Sequence, residues 1–385
     1  GALITMCLGV ASFHTCGLIL DWGVGQPERR FADFGDLCET HLGHCSKLVA
    51  NITSLAILIG ASACYHVLMA ITLKEVISSG ARMMHVHALL FCCGDGNFEY
   101  ASCSLAIGIG VLPLLFVRDV SRLASIGSYG VLALIYNVVF VTGSGFFNMH
   151  DLAAGRAHSE SVKLVGEVGD VGIFVGMMGL SLFMQSLLLP ISNNHQQAIA
   201  APAVVKRDLA VAYLVTVIFY VMVGAVPAAA FQLGRDVLPQ YTRLALRDLP
   251  QNILLAYQEN SPGALIGKLL LVLQIGVVYP ILGVVARGQL FATCAGAEWL
   301  GWSRTTIFNL CLVAFTGLVG SVYPKPGSVV SYVGAYTAVV YMLWLPILVH
   351  LSALRKTGRR TRASLVGNLT LAIAGTCVVL LQFIA

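Results

Sequence analysis

The stretch VGDVGIFVGMMGLSLFMQSLLLPI, residues Val168–Ile191, decides how this chain folds. It holds one charged side chain, Asp170, and otherwise stays apolar for longer than the roughly 20 residues a helix needs to cross a bilayer. It is also full of residues that weaken helices: Gly169, Gly172, Gly176, Gly179 and Pro190. A glycine costs a helix interior about 1 kcal/mol and a proline about 3 kcal/mol. Such a span is either packed tightly against neighbours through its small residues, as Gly172-xxx-Gly176 would allow, or it is broken. The sequence supports both readings. Ser181, Phe183, Gln185 and Ser186 follow directly after the glycines, where a break would expose them.

Nine further windows resemble it in hydropathy: 1–20, 47–72, 102–117, 124–147, 208–232, 263–286, 305–322, 328–350 and 363–385. The window 102–117 is short. Across 385 residues, 57% are hydrophobic and 11% charged, and the mean hydropathy is +0.83. A soluble domain carries about 25% charged residues, so a soluble enzyme, a disordered chain and a nucleic-acid-binding fold are excluded. Transmembrane barrel strands alternate polar and apolar residues over about ten positions, whereas these windows are apolar all round. The expected fold class is all-α, a polytopic membrane helix bundle forming a single transmembrane domain over residues 1–385.

Charge orients it. Ten spans put the loops 21–46, 118–123, 192–207, 287–304 and 351–362 on one side, with 13 of the 23 Lys and Arg; the other side has 8, and Lys47 and Lys268 sit just inside spans. The loop 351–362 holds Arg355, Lys356, Arg359, Arg360 and Arg362 and no acid, which places it in the cytosol by the positive-inside rule. Both chain ends then fall on the opposite side. The chain opens without Met, inside an apolar helix that lacks a signal peptide's basic start and cleavage site. The expectation is an N-terminally truncated chain, missing one span and a cytosolic segment ahead of Gly1.

Catalytic signatures are missing: no nucleophile elbow, Walker A loop, paired-histidine zinc helix or Rossmann fingerprint appears. The expectation is a protein that is not an enzyme and that carries no cofactor. His14 and His66 stand alone in spans, where a hydrogen-bonded packing role is the ordinary one. In the loop 73–101, His85, His87, Cys92 and Cys93 lie close to Cys103. A metal site, a disulfide among Cys92, Cys93 and Cys103, and unremarkable loop residues are all open readings there. The sequons at Asn51 and Asn368 fall inside spans and are read as unglycosylated.

Polar groups inside a bilayer are costly unless they face protein or water, so they mark candidate pathways. Besides the 168–191 window, 47–72 opens with Asn51, Thr53 and Ser54, and 263–286 holds Gln274, Tyr279 and Pro280. A broken span suits a zwitterion, because unwound carbonyls accept from an ammonium group and a half-helix N-terminus donates to a carboxylate. The candidate substrate-binding set is Gly179, Ser181, Phe183, Gln185, Ser186, Asn51 and Ser54. The expected partners are an amino acid and membrane lipid, not nucleic acid.

Several stretches together resemble the amino acid/auxin permease family. They are Gly35-Asp36-Leu37-Cys38, Tyr65-His66-Val67-Leu68-Met69, Arg207-Asp208-Leu209, Val278-Tyr279-Pro280 with Ala286-Arg287, and Tyr323-Pro324 with Gly334-Ala335, in order and at matching spacing. The resemblance covers all but the family's first span. It implies an inverted five-plus-five repeat of the LeuT-like type with one extra helix, and amino acid transport by alternating access. It leans to a lysosomal or vacuolar, sodium-coupled member that also senses arginine, and it implies cytosolic signalling partners through the absent N-terminal segment. By position, Phe183, Gln185 and Ser186 fall in the unwound stretch of the family's sixth span. Where the family places a hydroxyl ligand for sodium, two residues before the Tyr-Pro pair, this chain has Val277. Sodium coupling, proton coupling and exchange are therefore all open. An amino acid receptor that signals without net transport is the alternative function.

Overall fold

The computed structural model describes residues 1–24, 31, 33–83, 96–117, 120–151, 168–194, 202–233, 252–257, 261–296, 300–323 and 325–383. Among them the regular structure is helical: α1 (Ala2–Gly23), α2 (Phe34–Leu42), α3 (His44–Met83), α4 (Gly96–Val111), α5 (Val120–Asp151), α6 (Val168–Ser181), α7 (Gln185–Asn194), α8 (Pro202–Leu233), α9 (Pro262–Ala295), α10 (Trp302–Val322), α11 (Pro326–Tyr336), α12 (Leu345–Lys356) and α13 (Arg362–Leu380). A π-helical segment, Thr337–Trp344, joins α11 to α12. The protein is an integral, multi-pass, all-helical membrane protein.

Nine helical stretches among the described residues are long and apolar enough to span a bilayer. The window 102–117 gives a shorter apolar helix, Tyr100–Phe116, because Pro113 cannot continue the ladder and the chain tightens into a 3₁₀ turn over Pro113–Phe116. Ten expected spans thus become nine and a short one. Helix ends follow local chemistry. Asp33 caps α2 by accepting from the Asp36 N–H at 2.8 Å, and Gly43 stops it with φ 100°, a conformation side-chain-bearing residues avoid. Ser261 accepts from Ala264 N–H at the start of α9, whose first residue is Pro262, and Gly296 ends it with φ 67°.

Several helices run past their expected windows, and two of these extensions change how a charged residue is read. Helix α3 continues to Met83, past Lys74 and Glu75, rather than ending at 72. Helix α9 continues to Ala295, so Arg287 is a buried helix residue and not the start of a loop. Its guanidinium donates to the Leu115 carbonyl at 2.7 Å and to Asn309 Oδ1 at 3.2 Å. A cation held this way is excluded from solvent and adds nothing to the sidedness count that included it. The loop 21–46 also contains a helix, α2, with Phe34, Leu37 and Cys38 buried. Its exposed face is clamped by Lys47, which pairs with Asp36 at 2.9 Å and Glu39 at 2.8 Å.

The described helices group into two compact units. The first comprises Gly1–Ile57, Val165–Val221 and Val330–Ala385, and the second Leu58–Leu164 and Met222–Val329. In the first unit, Ile19, Leu20, Phe34, Leu37, Leu189 and Tyr341 form a core. In the second, Met69, Ile107, Leu115, Ile275, Tyr279 and Leu312 do the same, and α5 lies along α9 with Tyr136 donating to the Gly263 carbonyl at 3.0 Å. Large apolar side chains also cover the outside, Leu3, Leu132, Phe147 and Leu214 among them, as a surface facing lipid requires.

Candidate functional site: a broken helix in the first unit

The 168–191 window is broken. Helix α6 ends at Ser181, α7 begins at Gln185, and Leu182–Met184 between them leave helical geometry. A break in a membrane span frees backbone groups that must find partners inside the protein. Here side chains supply them. The Leu182 carbonyl accepts from Ser12 Oγ at 3.1 Å and from the Tyr213 hydroxyl at 3.0 Å, and these two hydroxyls lie 2.7 Å apart. The Ser181 carbonyl accepts from the Tyr220 hydroxyl at 3.1 Å. The Met184 N–H donates to Gln185 Oε1 at 3.0 Å, while Gln185 Nε2 donates to Ser12 Oγ at 3.1 Å. Hydroxyls from α1 and α8 therefore staple the break open.

The other side of the break meets an aromatic stack. Tyr341, on the π-helical segment, is buried between Phe183 and Phe34, with ring centroids 5.3 Å and 5.2 Å away. Ser54 of α3 lies at the Tyr341 hydroxyl. So the structure brings Phe183 and Ser54 together through a residue that sequence reading did not single out. A π-helical turn widens the helix by one residue per turn and is frequent at functional sites; here it carries Tyr341 to the break.

The remaining candidates divide by what they touch. Gln185 is fully buried, with both ends of its amide engaged. Ser186 is 2% exposed, and its Oγ has no hydrogen-bond partner among the described residues. Ser181 is exposed, and its hydroxyl bonds back to the Met177 carbonyl at 2.9 Å. Gly179 is a packing residue: a Cβ there would come within 2.7 Å of the Gly334 carbonyl oxygen and 2.8 Å of the Ala338 methyl. Asn51 stands on α3 against Gly35 of α2. In the second unit, Gln274 packs against Gly130 and Val277 against Gly127, both on α5. Cys103 is buried in α4, while His85, His87, Cys92 and Cys93 lie outside the described residues. Among the described residues there is no cluster of three or more His, Cys, Asp or Glu fit to hold a metal.

In and beside α2, burial raises the carboxyl of the capping Asp33 above its ordinary value and pushes the Cys38 thiol up to about 12. The Cys38 thiol is therefore not a reactive thiolate at neutral pH.

The family model for transmembrane amino acid transporter protein matches residues 1–385, the full chain. The chain belongs to that family. The chain is also 20% identical to the sodium-coupled neutral amino acid transporter 9 homolog of Caenorhabditis elegans, in an alignment covering 100% of this chain and 68% of that protein. It is 24% identical to neutral amino acid transporter 9 of Danio rerio, over 100% of this chain and 75% of that protein. Neutral amino acid transporter 9 of Xenopus laevis is 24% identical over 71% of this chain and 47% of its own length.

Sequence reading missed Ser12, Tyr213, Tyr220 and Tyr341. Each is a single polar group on an apolar span. Their shared signal is the hydroxyl within a span, which is too common to discriminate without the fold.

Proposed function

We propose that this family member carries an amino acid across an endomembrane, lysosomal or vacuolar, by alternating access, with the substrate bound at the α6–α7 break. The observation that carries the reading is the break itself. The C-terminal end of α6 presents partial negative charge and the N-terminal end of α7 partial positive charge, about half an elementary charge each. An ammonium group and a carboxylate on one substrate match those two ends without a charged side chain. The orphan hydroxyl of Ser186, one residue into α7, is placed to donate to the carboxylate. Phe183 and Tyr341 supply an apolar wall for the substrate side chain. The relatives' names support an amino acid cargo; the endomembrane location rests on the family resemblance.

The test is uptake into proteoliposomes by the purified chain, with arginine, glutamine and leucine as cargo. Wild type should show saturable uptake. Phe183→Ala, which removes the wall, should raise KM about tenfold, the equivalent of about 1.4 kcal/mol. Gln185→Ala, which lets the staple loosen, should lower uptake as well. Monodisperse variants with unchanged KM and rate would move the site elsewhere. Saturable binding with no flux would turn the chain into a receptor that reports amino acids without moving them.

A further inference from the structure

The second unit holds a buried histidine with no carboxylate beside it among the described residues, and a cavity that the ring lines. His66 of α3 is 1% exposed. Its Nε2 lies 2.8 Å from Ser104 Oγ of α4, and its Nδ1 lies 3.3 Å from Thr316 Oγ1 of α10. Thr316 Oγ1 is in turn 3.0 Å from the Tyr279 hydroxyl of α9 and 3.2 Å from the Val313 carbonyl of its own helix. A cavity of about 440 Å³ runs along α4 and α10 past this ring, lined by His66, Ser104, Gly317 and Ser321 among apolar side chains. Ser321 is exposed and stands one residue before the end of α10, and Ala101 is exposed near the start of α4. The hydroxyls of Ser104 and Ser321 and the bare backbone of Gly317 line it between the helix ends and the imidazole, while the exposed Leu105, Ile109 and Leu310 form its outer, apolar wall.

The hydrogen bonds accept two protonation states. With a neutral ring, one nitrogen donates to its hydroxyl partner and the other accepts. With a charged ring, both nitrogens donate. Ser104 can then turn its own hydroxyl proton away, and Thr316 can direct its proton to the Val313 carbonyl while accepting from His66 and Tyr279. No bond in the set has to break. Among the described residues, Tyr279 from α9 packs edge-on to the ring at 6.1 Å, Tyr100 from α4 and Tyr65 from α3 belong to the same core cluster as Tyr279, and Cys64 is a near neighbour on α3. Helix α10 faces it with Thr316 and the cavity hydroxyl Ser321 and no charge. On α9 the cation Arg287 lies eight residues beyond Tyr279, about 12 Å along the helix, tied to Leu115 and Asn309.

We propose that His66 is a proton-binding site, loaded from water through the cavity between α4 and α10, and that its charge state governs transport. The proton arrives from the aqueous phase and returns to it, so nothing else is consumed. The last clause rests on the transport reading above; the proton site itself does not.

Two measurements separate these parts. The purified chain in nanodiscs, labelled with ¹³C,¹⁵N-histidine, is titrated by NMR from about pH 8 to about pH 4.5, the range where imidazole charges. One resonance should titrate and be absent from His66→Gln, which keeps a donor and an acceptor but cannot take a proton. A His66 resonance that stays neutral throughout overturns the site. Uptake is then measured over the same range. Wild type should be stimulated several-fold by acid, and His66→Gln should give a flat profile. Gly317→Leu, which fills the cavity beside the ring, should lower the acid-stimulated rate and spare the rate at about pH 8. An unchanged pH profile in His66→Gln overturns the coupling. If wild type moves no amino acid at any pH, the transport reading fails, and the NMR titration alone decides the site.

Discussion

Gly334 of α11 sits against the backbone of Gly176 of α6. A Cβ at Gly334 would fall on the Gly176 carbonyl, 2.8 Å from its carbon, and within 3.0 Å of the Leu180 nitrogen. Backbone atoms cannot swing aside as a flexible side chain can. The contact therefore fixes the half-helix α6 to α11 and, through it, to the π-helical segment that carries Tyr341. This is how the break and its aromatic wall keep a common frame.

Gly334→Ala should accordingly destabilise the protein by more than the 1–3 kcal/mol usual for overpacking. The expected readout is loss of the monodisperse peak, or a clear drop in melting temperature, in detergent. Gly367→Ala on α13 is the control, since nothing lies within 4 Å of a Cβ there. It should be neutral or stabilising by up to about 1 kcal/mol, the ordinary gain of alanine over glycine in a helix. Equal melting points for the two variants would show that α6 and α11 can part without cost.

The staple makes a second expectation. Tyr213→Phe removes one donor to the Leu182 carbonyl and Ser12→Ala removes the other. Each should cost about 1 kcal/mol, the net value of a buried hydrogen bond. The double variant should cost more than the sum, because the carbonyl then has neither donor. Melting temperatures of the four proteins in one cycle measure the excess, and strict additivity would mean that the two hydroxyls act independently.

The break in the 168–191 window was legible as one of two readings because glycines, polar residues and a proline crowd one apolar run. Its partners were not. Ser12 lies 170 residues from Leu182 in the chain, and Tyr341 sits in a span whose composition is ordinary. Their roles are set by tertiary pairing, which leaves no local pattern. Gln185 was legible as a polar residue at the break, but not the direction of its amide, which turns into the α1 staple. Charge misled at several places for one reason: Lys74, Lys206, Arg207, Arg287, Arg304 and Arg355 read as loop residues but lie in helices, and a helix can hold a cation when carbonyls, amides or a surface position satisfy it.

At the α2–α3 corner, the Lys47 ammonium first, and then His44, hold the Glu39 carboxyl below its usual value. With the folded pKa depressed, this clamp contributes fully above the unfolded carboxylate pKa of about 4.3, and its contribution is lost as pH falls through the lower folded value. The pair is exposed, so the effect is small. Lys47→Met should flatten the acid limb of a melting temperature series below about pH 5 and leave the neutral limb close to that of wild type. An acid limb as steep as that of wild type would assign the loss of stability to other carboxylates.

Arg287 gives the sharpest stability expectation. Its guanidinium and the Asn309 amide converge on one acceptor, the Leu115 carbonyl, at 2.7 Å and 3.2 Å, in the 3₁₀ turn that Pro113 forces on the chain. That carbonyl belongs to the last turn of a short span, where backbone acceptors have no partner within the helix. Arginine reaches it while also meeting Asn309 Oδ1, because the planar fork offers several donors in fixed directions. Lysine keeps the charge but not the fork. Arg287→Lys should thus cost about 1–3 kcal/mol, close to the penalty for a buried polar group left unsatisfied. Arg287→Met, which removes the buried charge with its desolvation cost, should be no worse than lysine and can be better. Thermal unfolding of the two variants side by side checks the order. A lysine variant as stable as wild type would mean that charge alone, rather than the geometry of the fork, closes the end of the short span.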